Sequence, residues 1–131
     1  ALMKRGKLRK KGKSESSKLK HRLWKAFSAF IRKRDGGVCF TCGTKGLVKS
    51  NYHAGHFIPR SVGGLLLYFH EDNVHGQCAR CNLWLQGNQY EYGKRLGEKR
   101  VQELYKLKRQ TIKDFPFTEK IVYYKNKYEE L

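Results

Sequence analysis

Two Cys-x-x-Cys pairs, Cys39-Phe-Thr-Cys42 and Cys78-Ala-Arg-Cys81, stand 35 residues apart in the chain. Each pair has the spacing of a zinc knuckle, and two matched pairs favour tetrahedral thiolate coordination over a disulfide framework in a reducing compartment. Four thiolates would close the coordination sphere, so the expected zinc is structural, with no open position for a substrate. Between the pairs lies His53-Ala-Gly-His56-Phe-Ile-Pro59-Arg60, followed by Glu71-Asp-Asn73-Val-His-Gly-Gln-Cys78 and, directly after Cys81, Asn82. These side chains offer imidazoles that exchange protons near neutral pH and amide oxygens that can ligate a hard cation.

The partner suggested by charge is a polyanion. The chain carries 29 Lys and Arg against 11 Asp and Glu, a formal net charge of +18, over 131 residues. Such an excess repels itself unless nucleic acid is the usual partner. Membrane is excluded as a spanned medium, because no apolar run approaches the roughly 18 residues needed. No signal-peptide pattern opens the chain, so a soluble, intracellular protein is expected. The length suits one domain around a single core.

The same residues carry a resemblance. HNH nucleases place a His three residues before a Pro at a strand end, an Asn five residues before the third zinc cysteine, and a His or Asn just after the fourth. Here His56 precedes Pro59 by three, Asn73 precedes Cys78 by five, and Asn82 follows Cys81. The chain also resembles the NinG/Rap recombination proteins of lambdoid phages over roughly residues 24 to 105. That likeness runs through Trp24-Lys-Ala-Phe-Ser-Ala-Phe-Ile-Arg32, His53-Ala-Gly-His56-Phe, Asp72-Asn-Val-His-Gly-Gln-Cys78, Cys81-Asn82 and Gly87-Asn88. The Cys-Asn ending is similar to phage Holliday-junction resolvases of the HNH class. What these resemblances imply is an α+β fold with a zinc-stabilised ββα-metal core and Mg²⁺- or Mn²⁺-dependent cleavage of phosphodiesters. They imply branched DNA as substrate, D-loops and four-way junctions included, and the cytoplasm of a phage-infected bacterium as location. The competing readings are a sequence-specific or nicking HNH enzyme and a zinc-stabilised nucleic-acid binder without catalysis.

Phosphodiester hydrolysis needs a base for water, a cation to offset developing charge, and rigid placement of both. His56 is the expected base. Asn73 has no proton to give, so its expected task is to hold the hairpin or orient His56. Asn82, at the start of a helix, is expected to ligate the catalytic cation or else to cap the helix. Many HNH enzymes carry an Asp immediately before the catalytic His, where this chain has Gly55. His53, on the same strand face as Gly55, is the expected substitute ligand, with Glu71 or Asp72 as fallback carboxylates. Arg60 and Arg80 are expected to bind substrate phosphate. Trp24, Trp84 and the tyrosines read as core or interface residues.

These side chains need elements to hold them. Residues 1–18 read as a basic flexible arm, 19–113 as the nuclease domain, and 114–131 as a C-terminal helix available for a dimer or DNA contact. Leu19, Leu23, Phe27, Phe30 and Ile31 recur at helical spacing and should end near Asp35-Gly36-Gly37. Asn51–Ile58 and Leu65–Phe69 read as the two strands of an irregular hairpin. Helices are expected through Glu91–Leu96, Glu98–Arg109 and, after a cap at Thr118-Glu119, a last one bearing Ile121, Val122, Tyr124 and Tyr128. A homodimer would match the two-fold symmetry of a junction.

Overall fold

The computed structural model describes residues 12, 14–108 and 110–131, so most of the expected basic arm, and Arg109, lie outside the described residues. Helix α1 spans Glu15–Asp35. It opens four residues ahead of Leu19, the first residue of the apolar periodicity, because Ser14 caps it, accepting a hydrogen bond from the Ser17 amide. Its end is set by Gly36 at φ 62°, the left-handed conformation that lets its amide reach back to Arg32 and Lys33.

After the first cysteine pair, strand β1 (Tyr52–His56) leads into helix α2 (Arg60–Tyr68), strand β2 (Val74–Cys78) and a helical turn at Arg80–Trp84. Helices α3 (Gln89–Leu96), α4 (Glu98–Lys106) and α5 (Phe117–Glu130) complete the described chain. The fold is therefore mixed α and β with a small antiparallel sheet. The expected second strand is corrected: Leu65–Phe69 is helical to Tyr68, with a kink at Gly64, and the partner of β1 is β2. Three consecutive leucines carry no period of their own, so they fit a short helix as well as a strand. Pairing runs Tyr52↔Cys78, His53↔Gln77, Ala54↔Gly76, Gly55↔His75 and His56↔Val74.

The core sits on either side of this hairpin. On one side α1 buries Leu23, Phe27, Phe30 and Ile31 against Tyr68, Phe69, Val74 and, from α5, Ile121 and Tyr124. Phe27 and Tyr124 meet edge-to-face at 4.8 Å. Two of the four apolar residues singled out on the last helix thus pack on the chain's own core, while Val122 and Tyr128 are exposed. On the other side Phe57, Ile58 and Leu67 pack with Tyr92, Leu96 and Leu104. Polar anchors tie α1 to β2: Asp35 accepts the Gly76 amide at 2.7 Å, and Arg34 donates to the carbonyls of Glu71 and Val74. Among the described residues no helix is long and apolar enough to cross a membrane.

Candidate metal centres and catalytic hairpin

The cysteines converge. The four sulfurs of Cys39, Cys42, Cys78 and Cys81 lie within 4.8 Å of one another, and those of Cys42 and Cys78 are 3.8 Å apart. Sulfurs about 2.3 Å from a tetrahedral zinc would stand about 3.8 Å from each other, so the cluster could hold such an ion. Donors already face the sulfurs: the Thr41 and Thr44 hydroxyls at 3.2 and 3.1 Å, the Cys81 amide at 3.4 Å and the Asn88 amide at 3.6 Å. Burial raises the Cys39 thiol, but hydrogen bonds from Thr41 and the knuckle backbone outweigh it and bring its pKa to about 6. At Cys78 burial prevails and pushes the pKa to about 12.

The hairpin between the knuckles divides its side chains between two faces. Tyr52, Ala54 and His56 point toward α1, while His53 and Gly55 share the opposite face with Gln77 and His75. His56 is sandwiched between the rings of Trp24 and Tyr68, at 5.1 and 4.7 Å. Its Nε2–H donates to the Tyr68 carbonyl at 2.9 Å, which leaves the lone pair on Nδ1. Burial lowers its pKa, and the nearby Arg60 guanidinium lowers it further against the opposing pull of the Tyr68 carbonyl. Arg60, exposed at the head of α2, lines a cavity of about 320 Å³ with Ser17, Lys20, His21, Trp24 and Tyr68. Arg80 is exposed and lines none of the cavities described here.

Asn73 is wholly buried, directly ahead of β2, and its side chain ties down the link between β1 and α2. Its Oδ1 accepts the Ile58 amide at 2.8 Å, and its Nδ2 donates to the carbonyls of Ile58 and Leu67 at 3.1 and 2.9 Å. It makes no hydrogen bond to His56. Of the two tasks expected of it, the geometry matches holding the hairpin. Tyr92 secures the neighbouring residue: its hydroxyl accepts from His75 Nδ1 and donates to the Gly55 carbonyl at 2.8 Å.

On the other face His53 and Asn82 meet. His53 Nε2–H donates to the Ser50 carbonyl, and its Nδ1 accepts from Asn82 Nδ2 at 2.8 Å. Both line a cavity of about 300 Å³ with Trp24, Arg32, Tyr52 and Ala54. Residues from both faces of β1 line it, so it reaches across the free edge of that strand. The space beside Gly55 is not filled by His53, as strand geometry suggested, but by the side chain of Gln77. Glu71 and Asp72 lie in a separate cavity with His70, Lys120 and Tyr124. Trp84, read as core or interface, is 82% exposed just past Asn82, beside exposed Leu83 and Leu85. Sequence reasoning did not single out Gln77 or Tyr92, and no spacing along the chain marks either.

A family model described as "NinG: Bacteriophage Lambda NinG protein" matches residues 3–131. The protein ninG of Escherichia phage lambda is 37% identical over 84 residues, which cover 60% of this chain and 40% of the phage protein. That of Salmonella phage P22 is 40% identical over 68 residues, covering 51% of this chain and 32% of the relative. The chain thus spans about two fifths of the length of the lambda relative. No solved structure matches.

Proposed function

Because the chain belongs to the NinG family of phage proteins, we propose that this chain is a metal-dependent endonuclease acting on branched DNA, its four cysteines holding a structural zinc. The observation that carries the proposal is the state of His56. Its Nε2 is committed to the Tyr68 carbonyl, its ring is clamped by Trp24 and Tyr68, and its lowered pKa keeps Nδ1 unprotonated near pH 7. That is the condition of a fixed general base. Arg60 and Lys20, in the adjoining cavity, are cations suited to a phosphate.

His56 and the His53–Asn82 pair occupy opposite faces of β1. A scissile phosphate addressed by both must therefore straddle the strand's free edge, where the cavity lined by Arg32, His53 and Asn82 lies. His53 and Asn82 would hold a divalent cation there, and when bound it would offset charge on the phosphate and leaving oxygen. Preference for branches is supported by the net charge of +18, since contacts to phosphates report shape and not sequence.

A zinc-stabilised DNA binder without catalysis is favoured by one observation: the Asn82 amide already occupies the His53 lone pair. The two readings part in a cleavage assay with Mg²⁺ or Mn²⁺ on a four-way junction and a linear duplex of the same sequence. A nuclease of this kind cuts the junction faster, and His56→Ala abolishes cutting while zinc content and junction binding persist. Binding without cutting by the unmodified protein would leave only the second reading, and equal cutting of both substrates would remove the branch preference.

A further inference from the structure

Gly55 stands where HNH enzymes commonly carry an acid, and the structure fills the vacated space from the other strand. Gln77 lies across from His53 and is wholly buried. Its Nε2 donates to the Gly87 carbonyl at 2.9 Å and toward the Thr41 hydroxyl at 3.3 Å. A carbonyl oxygen only accepts, so the amide cannot be turned over, and Oε1 must point away from Gly87. That oxygen has no hydrogen-bond partner.

Where it points is informative. A Cβ on Gly55 would sit 1.8 Å from Gln77 Oε1 and 2.9 Å from Asn82 Oδ1. Both amide oxygens therefore border the space beside Gly55, where a cation or a donor within reach of both would offset their mutual repulsion. Buried polar atoms are seldom left without a partner. The third group at hand is His53, whose Nδ1 lone pair faces Asn82. The cavity at the β1 edge, lined by His53 and Asn82, offers the way in.

We propose that Gln77 Oε1 is a ligand of the divalent cation, joining Asn82 Oδ1 and His53 Nδ1 in place of the carboxylate that Gly55 cannot supply. The proposal rests on the nuclease reading for the cation's use, though not for its binding. Three neutral donors, one of them imidazole, suit Mn²⁺ better than Mg²⁺ and leave the cation's charge for the phosphate to balance. To bind the cation, Asn82 Nδ2 gives up its hydrogen bond to His53. Gly55 is then required for room, since any side chain there would displace the Gln77 amide.

Mn²⁺ binding to zinc-loaded protein, read by the electron paramagnetic resonance signal of free Mn²⁺, tests this without DNA. The unmodified chain should take up one Mn²⁺, and Gln77→Ala should weaken uptake at least tenfold with zinc content unchanged. Gly55→Asp alone should collide with Gln77. Gly55→Asp combined with Gln77→Ala frees the space and supplies a charged ligand, so it should bind Mn²⁺ at least tenfold more tightly than Gln77→Ala. No uptake by the unmodified chain, or equal uptake by all variants, overturns the assignment. Uptake that follows the expected order in a protein that cuts no DNA would sink the nuclease reading and leave the ligand standing; cutting with unaltered Mn²⁺ dependence in Gln77→Ala would do the reverse.

Discussion

Asn73 offers the sharpest test of how the hairpin is held. Asn73→Ala strands the Ile58 amide and the Ile58 and Leu67 carbonyls in a wholly buried place. Three buried groups at about 1–3 kcal/mol each give a wide range, and water drawn into the vacated space holds the cost near the low end, about 3–4 kcal/mol. Against a total stability of about 5–15 kcal/mol, that should lower the melting temperature by roughly 10–15 °C. Asn73→Asp is the finer perturbation. It keeps an acceptor for Ile58 but sets a carboxylate oxygen against two carbonyls, so the folded carboxyl must hold a proton and its pKa rises above the unfolded value of about 3.9. A raised folded pKa means that stability is fully present below pH 3.9 and is lost as pH climbs toward the folded value, by about 1.4 kcal/mol per unit. Denaturant unfolding of zinc-loaded wild type and variant at successive pH values gives the difference, in which other titrating groups cancel. A loss under 1 kcal/mol for Asn73→Ala, or a pH-independent penalty for Asn73→Asp, would refute the role assigned to these hydrogen bonds.

Three further outcomes are expected. Cys81→Ser should abolish zinc binding and cooperative unfolding together, measured by metal analysis and calorimetry, because Cys81 is buried among the other sulfurs and the metal's binding energy becomes folding energy. Burial, with Arg34 adding to it, lowers the His75 pKa to about 4. The unfolded chain then takes up the proton first, so wild-type stability is complete above pH 6.5 and falls by roughly 3 kcal/mol toward pH 4; in His75→Gln that part of the slope should vanish from the denaturant midpoints. Trp84→Ala should leave stability within about 0.5 kcal/mol, given its exposure, yet weaken junction binding roughly tenfold in a fluorescence titration if the indole stacks on an unpaired base.

Helix α1 was legible because its signal is local. Leu23, Phe27, Phe30 and Ile31 share one face by spacing alone and are all buried, and glycine marks the end. The second strand was not. Val74-His-Gly-Gln-Cys78 has little β-forming character, with a glycine at its centre, whereas Leu65-Leu-Leu-Tyr-Phe69 looks like a buried strand. What makes 74–78 a strand is tertiary: Cys78 must return to the knuckle, and α1 fixes β2 through Asp35 and Arg34. Sequence propensity has no access to that constraint.

The candidate site divides the same way. Cysteine pairs and the His56, Asn73 and Asn82 spacings are distances along the chain, and a reader of the chain finds them. The neighbour of Gly55 is a distance across the sheet, set by the register that puts Gln77 opposite His53. Slipping that register by one residue would turn Gln77 to the α1 face and bring Gly76 or Cys78 to the His53 side instead. An acid missing from one strand can therefore be answered by an amide on the other only while the register holds. The register is held at one end by Tyr52↔Cys78, beside the cysteine cluster, and at the other by Asn73 against Ile58. A zinc held by the cysteines, and Asn73 with it, would thus bear on the proposed second metal position without touching it. Cys81→Ser should consequently abolish Mn²⁺ uptake, and Asn73→Ala should weaken it, although neither residue offers the cation an atom.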